Sequence, residues 1–407
     1  MYLIITTMLL FFTDYGLAAS NCNISDINSF YGHIKRNSPI ISEVKKKKEK
    51  NDSELELAEQ RPNPELSLEY LKGDEFGLDI NTLSLTAEHT FEYGSKRSKR
   101  IEKANAFRKL NNSQADLALY GQLSNYALVY QKVGQLSILI KSVKEAISTF
   151  DKIVSKLNSR VRLTPEETIS LSTIILASNE YKSQLSDFEN EKDILLGKLR
   201  FVANCSDFKV KHTDLKYPEV ETFKEKVEAF GLPEIEDFKV NLAQSELEVE
   251  KSLGYSNIQI GPALEYESRG SDEFLSAGIA VSFAFPMFHT NNGGKVQALK
   301  KLQAQKAESS NNKKMLTIEK SNLYKKYSRS LRTYKNMPSL KELERKHVEV
   351  ERLYSRGIVS ITMTIESHRQ QIEFLKSRFE TENDLLTTYV RISLIEGSIE
   401  KFKKLLN

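Results

Sequence analysis

The sequence predicts an α+β chain in which long helical hairpins accompany a few one-sided β-strands, the whole pattern written twice. Three observations carry that reading. Segments recur about 196 residues apart, two blocks show strict apolar–polar alternation, and two long tracts place apolar residues every 3.5 positions.

The repeat organises everything else. Pro39-Ile40-Ile41-Ser42-Glu43-Val44-Lys45 returns as Pro233-Glu234-Ile235-Glu236-Asp237-Phe238-Lys239. Leu68-Glu69-Tyr70 returns as Leu264-Glu265-Tyr266, Asp74-Glu75-Phe76 as Asp272-Glu273-Phe274, and Ser159-Arg160 as Ser355-Arg356. Four matches in one order at a nearly constant offset point to a duplicated half-protein, since the period is far longer than a solenoid unit. Residues 20–203 and 204–407 are the two expected structural repeats, behind an N-terminal segment of residues 1–19.

That segment holds an almost unbroken apolar run, Leu3 to Phe12, followed by Gly16-Leu17-Ala18-Ala19-Ser20. The run is far shorter than the ~20 residues of a membrane-spanning helix, and its small residues suit cleavage after Ala18 or Ala19. A signal peptide is expected, although no Lys or Arg precedes the run and Asp14 sits near its end. Export makes Cys22 and Cys205 eligible for a disulfide. A free thiol and a lipid anchor on Cys22 stay open as alternatives, with Asn21 a poor residue before a lipidated cysteine.

Each half then follows one plan. A helical segment (about 42–59 and 233–251) leads into two strands, about 65–72 and 80–91 in the first half, 257–267 and 275–287 in the second. Leu66, Leu68 and Tyr70 alternate with Glu65, Ser67 and Glu69, and Leu83, Leu85 and Ala87 with Ser84, Thr86 and Glu88. Ile258, Ile260, Leu264 and Tyr266 share one face, as do Ala277, Ile279, Val281, Phe283 and Phe285. A period of two gives a strand with one greasy and one wet face. Lys72-Gly73-Asp74 and Arg269-Gly270-Ser271-Asp272 are the expected hairpin loops.

Helical hairpins follow at about 95–203 and 295–406. Ser95 to Asn158 contains no Pro, and its 64 residues would extend ~96 Å as one helix. Leu136, Ile140, Val143, Ile147, Phe150, Val154 and Leu157 step by four and three, and Leu171, Ile174, Ser178, Tyr181, Leu185, Phe188, Lys192, Leu195 and Leu199 do likewise. That spacing is a coiled-coil seam. Thr164-Pro165-Glu166-Glu167 reads as a helix start with a capping box, so the chain turns back at 159–165; the matching turn is 355–361.

Composition excludes other classes. The 59 basic and 55 acidic residues nearly cancel, unlike the lopsided charge of a nucleic-acid binder. Lys45-Lys46-Lys47-Lys48-Glu49-Lys50 reads as a solvated helix face. The six histidines (His33, His89, His212, His289, His347, His368) show no His-x-x-x-His or Glu-x-x-His pairing, and no phosphate loop, nucleophile elbow or Cys-x-x-Cys appears. No catalytic residue, cofactor or metal is expected.

Four one-sided strands cannot bury their greasy face within so small a sheet. If that face meets lipid the sheet must close, because open edges are not tolerated in hydrocarbon. Four strands fall short of the eight in the smallest membrane barrels, so closure needs several chains, a dimer or a trimer. The rival is a periplasmic coiled-coil scaffold or adaptor without a barrel, which leaves the strands without a lipid partner.

The order helix, strand, strand, long helix, long helix, twice over after a signal peptide, resembles the TolC-like outer-membrane efflux family. The likeness extends to Arg61-Pro62-Asn63-Pro64-Glu65-Leu66 before the first strand, and to Phe285-Pro286-Met287-Phe288 with Asn291-Asn292-Gly293-Gly294 after the last. It includes Met337-Pro338 with Leu340, and most of all Leu353-Tyr354-Ser355-Arg356-Gly357-Ile358-Val359-Ser360. The resemblance implies a homotrimer with a twelve-stranded barrel in the outer-membrane lipid of a Gram-negative bacterium and a periplasmic helical tunnel. It also implies a periplasmic adaptor and an inner-membrane transporter as partners, in efflux or type I secretion.

By the same resemblance, Arg160, Leu163 and Thr164 in one turn, and Arg356, Gly357 and Ser360 in the other, are candidate adaptor contacts. Thr164 and Ser360 also have a plain capping role, and Gly357 a plain role in supplying positive φ. Val161 stands where the second turn has Gly357. The family's aperture constellation falls on Tyr354 and Glu366, but Val359 and Met363 replace its Arg and first acidic residue. A ring of Glu366 side chains would raise that carboxyl's pKa by mutual repulsion, whereas a lone Glu366 is an ordinary solvated residue.

Overall fold

The computed structural model of the chain describes Cys22 and residues 24–219, 231–285, 287, 290–398, 402, 405 and 406. The expected signal peptide lies outside the described residues, as do Pro286 and Phe288 of the motif after the last strand. The elements run α1 (Ile27–Asn37), α2 (Pro39–Glu59), β1 (Glu65–Glu75), β2 (Leu78–Phe91), α3 (Lys96–Asn158), α4 (Pro165–Ala203) and α5 (Leu232–Ser252). They continue with β3 (Ile258–Arg269), β4 (Asp272–Phe283), α6 (Asn292–Asn336), α7 (Leu340–Ser355) and α8 (Ile361–Glu396).

The sequence reading assigns no element to residues 27–37. They form α1 because Ile27, Phe30, Tyr31 and Ile34 lie on one buried stripe, and because Asp26 and Ser29 cap the start reciprocally. Pro338 separates α6 from α7: a proline inside a helix lacks the required N–H, so the chain breaks there and restarts on the Ser339–Glu342 capping box.

Two units make up the chain, one containing residues up to Pro39, Asn125–Leu215 and Met337–Asn383, the other Ile40–Ser124, Lys216–Asn336 and Asp384 onward. The second unit holds the sheet. Its strands lie in the order β1-β2-β3-β4, all antiparallel, leaving β1 and β4 as the two edges.

The first hairpin corrects the expected loop at Lys72-Gly73-Asp74. Those residues stay in β1, with Gly73 opposite Ile80 and Asp74 opposite Asp79. The chain turns at Phe76-Gly77 instead, both with positive φ (54° and 82°), the geometry of a two-residue turn that matches strand twist. The Gly77 N–H donates to the Asp74 carboxylate at 3.1 Å. The second hairpin turns at Gly270-Ser271, inside the expected loop.

The first unit is a helical core along the predicted seam. Leu136, Val143, Phe150 and Leu157 of α3 pack with Ile174 and Tyr181 of α4 and Ile372, Leu375 and Phe379 of α8. Ile361, Ile365, His368, Ile372, Leu375, Phe379 and Glu382 form the α8 stripe, again alternating four and three. Two polar residues therefore stand in seam positions.

Cys22 and Cys205 form a disulfide, which resolves the three alternatives. Beside it the His33 Nε2 lies 2.9 Å from the carbonyl oxygen of Ala203. The bridge ties the N-terminal segment to the end of α4 across 183 residues of sequence. Cys205→Ser should lower stability by about 2–4 kcal/mol. Urea unfolding of wild type, reduced wild type and variant checks this, with the two thiol forms expected to coincide and to unfold earlier than the oxidised chain.

Candidate functional site

The sheet is the first feature that demands a partner. Its register aligns the greasy faces of all four strands into continuous rows. Leu68 lies opposite Leu85, Leu85 opposite Leu264, and Leu264 opposite Ala277. The next row is Tyr70, Leu83, Tyr266 and Leu275. Leu66 is 74% exposed and Ile279 77%, and Leu68, Tyr70, Leu83, Leu85, Leu264 and Leu275 are exposed as well. The opposite face carries the row Glu69, Ser84, Glu265, Ser276. An apolar patch of this extent on a water-soluble surface is an interaction site or a liability.

Aromatic residues gather where the strands meet the helical connections. Phe91, Tyr93, Tyr255, Phe283 and Phe285 are all exposed there, and the Tyr93 and Tyr255 rings meet edge to face at 5.8 Å. Bands of exposed aromatic side chains at strand ends are the girdles of membrane barrels. No helix among the described residues is long and apolar enough to cross a membrane.

The two helical turns lie in the other unit. Thr164 caps α4: its hydroxyl accepts from the Glu167 N–H at 3.1 Å, and the Glu167 carboxylate accepts from the Thr164 N–H at 2.9 Å. Arg160 also pairs with Glu167. Gly357 has φ +75°, a conformation that penalises any Cβ. The Ser360 hydroxyl accepts from the Met363 N–H at 3.2 Å. Leu163 packs partly buried against the seam, so it is a core residue as well as a turn residue. Sequence reading missed the apolar tips: Val161 and Ile358 are exposed, one in each turn.

The two aperture candidates differ. Tyr354 is partly buried against the same core, and burial raises its phenol pKa while the charge of Arg160 opposes the rise. Glu366 is held by Arg369 at 2.6 and 2.8 Å and by Gln370 at 2.8 Å. These bonds, Arg369 first, pull its carboxyl down to about 2. Within one chain the direction is thus opposite to the rise expected of a carboxylate ring, because a guanidinium already supplies the counter-charge.

Two polar clusters complete the helical unit, largely buried except for the part-exposed Glu351. Glu382 accepts from Gln131 at 3.2 Å and Gln135 at 2.8 Å, and lies 3.0 Å from the His212 Nε2. His347, Glu351 and His368 form the other, with ligand-type atoms within 4.8 Å of one another. The sequence reading expected no such grouping. The signal in the sequence was His347-Val348-Glu349-Val350-Glu351, a His and a carboxylate one helical turn apart. The third member comes from the next helix, which spacing within one helix cannot reveal.

No protein-family model and no curated protein sequence matches this chain. Solved structures do. The outer membrane protein VceC of Vibrio cholerae superposes with a TM-score of 0.66 at 11% identity, over 91% of this chain and 96% of its own. The CmeC outer membrane channel of Campylobacter jejuni gives 0.69 at 11% identity, over 94% and 90%. The MtrE outer membrane channel of Neisseria gonorrhoeae, in its open state, gives 0.67 at 9% identity, over 91% and 88%.

The chain has the outer-membrane channel fold. The likeness runs over nearly the full length of both partners while identity stays near one residue in ten. The shared property these comparisons show is thus the arrangement of strands and helices. The α+β architecture expected from the sequence, long helices with a four-stranded antiparallel sheet, is the observed one.

Proposed function

We propose that the chain is one subunit of an outer-membrane efflux duct: three copies join their sheets into a twelve-stranded barrel, and their helical hairpins form a periplasmic tunnel. The observation that carries this is the continuous apolar surface across β1 to β4, uncovered by any other described residue. Strands of 11 to 14 residues meet or exceed the ~9–11 that a tilted membrane strand needs. The edges β1 and β4 must pair with other copies, because hydrocarbon offers their N–H and C=O groups no partner. Two copies would give eight strands and three twelve; the channel fold and the family resemblance favour three. The rows of Ser, Thr and Glu then line the lumen.

A soluble scaffold would hold the same apolar rows in water, and the exposed aromatic band would have no purpose. The helical turns are the proposed docking surface for a periplasmic adaptor of an inner-membrane pump. There Val161 and Ile358 offer apolar contact, and Arg160, Thr164, Arg356 and Ser360 polar contact, with Leu163 and Gly357 holding the turns in shape. Tyr354 and Glu366 are proposed to stand at the aperture, Glu366 paired with Arg369 and not as a bare anion.

Insertion tests the barrel. Leu85→Lys places a charge on the lipid side near mid-strand and should destabilise insertion by about 2–4 kcal/mol per subunit. Ser84→Lys, one residue away on the lumen side, should insert normally and change conductance in planar bilayers. Quantifying heat-stable oligomer in the outer-membrane fraction distinguishes them; equal tolerance of both lysines would contradict the assigned faces.

The aperture is tested in the same bilayers. Glu366→Ala should shift selectivity away from cations, and Arg369→Ala should shift it toward them. Unchanged reversal potentials in both variants would remove this pair from the conducting path.

A further inference from the structure

The helical unit buries two histidines, His368 among the Ile, Leu and Phe of the α8 stripe and His347 beside it on α7. His347 of α7 is 7% exposed and His368 of α8 is 1% exposed. Their rings lie edge to face with centroids 4.5 Å apart. Among the described residues, His347 Nδ1 and both ring nitrogens of His368 have no hydrogen-bond partner. A neutral imidazole always carries one N–H donor and one acceptor nitrogen, and leaving either bare in a core forfeits its hydration without replacement. Buried polar groups without a partner are rare enough to need an explanation.

Glu351 supplies one. Its Oε1 lies 3.6 Å from His347 Nε2 and 3.9 Å from His368 Nε2, too far for hydrogen bonds but converging on one point. Ligand atoms around a tetrahedral zinc stand ~3.3 Å apart, given bonds of ~2.0–2.1 Å. The two carboxylate contacts stand a few tenths of an ångström beyond that spacing, and all three ligand atoms lie within 4.8 Å of one another. The Thr149 hydroxyl of α3 donates to the same Glu351 oxygen at 3.0 Å, orienting the carboxylate as an outer partner does in metal sites. Burial and the neighbouring His347 lower the pKa of His368 to about 4, so its imidazole is neutral, the form that binds metals.

We propose that His347, Glu351 and His368 form a binding site for a divalent first-row transition cation of the zinc type. Two imidazoles and one carboxylate suit such an ion and are poor ligands for calcium or magnesium. Three protein ligands leave a coordination position open. The ion would staple α7 to α8, two turns or so from the Arg356–Ser360 turn on either side. The inference rests on these side chains and stands independently of the channel reading.

Full-length protein in detergent, stripped with EDTA and desalted, is titrated with zinc chloride against a chromophoric chelator, and in parallel with cobalt chloride. The expected result is one zinc per chain and a visible cobalt d–d band. His347→Gln and His368→Gln should each weaken zinc binding by about tenfold or more. Cys22→Ser/Cys205→Ser should bind as wild type does, which separates this site from the disulfide beside His33. No zinc bound by wild type at micromolar concentration, or full binding by both histidine variants, would overturn the proposal. Should a histidine variant fail to fold by circular dichroism, zinc-edge X-ray absorption of the wild type decides. Scattering from two imidazoles supports the site, and its absence overturns it.

Discussion

A four-stranded sheet with two free edges and rows of exposed leucine and tyrosine is unstable in water and in hydrocarbon, for different reasons. In water the apolar rows cost about 25 cal/mol for each square ångström left wet. In hydrocarbon the rows are at home, but the edges β1 and β4 would carry backbone groups without partners, at several kcal/mol each. Only closure with further copies satisfies both demands. On the proposed reading the oligomer is therefore a condition of the barrel's existence.

The helical unit solves a different problem with the same economy of pattern. A seam stepping by four and three lets α3, α4 and α8 share one apolar core, so little of each helix needs to be greasy and their outer faces stay charged. That seam tolerates polar residues only when they are held. Glu382 is held by two glutamines and a histidine. His368, in an equivalent stripe position, has no such partner, which is why a metal ion is the economical occupant.

Much of this was legible in the residues, because alternation by two and stepping by 3.5 are direct consequences of strand and helix geometry. Leu83 and Leu85 announce their face, and Phe150 and Ile174 their seam, without any tertiary information. The Phe76-Gly77 turn was not legible: Lys72-Gly73-Asp74 has better turn composition, and only pairing register shows that β1 runs past it. The first helix, α1, was hidden by its brevity. The His347–Glu351–His368 cluster, the Val161 and Ile358 tips and the Glu366–Arg369 pair depend on which side chains meet or stay uncovered after folding. Helical spacing alone cannot show that.

The central claim is that alternate residues of the sheet face lipid and lumen. Single spin labels placed in turn at Leu83, Ser84, Leu85 and Thr86 of β2, in protein reconstituted into vesicles, measure it directly. Oxygen should relax the labels at 83 and 85 most, and a water-soluble nickel chelate those at 84 and 86. Uniform access of the nickel chelate to all four would contradict the account.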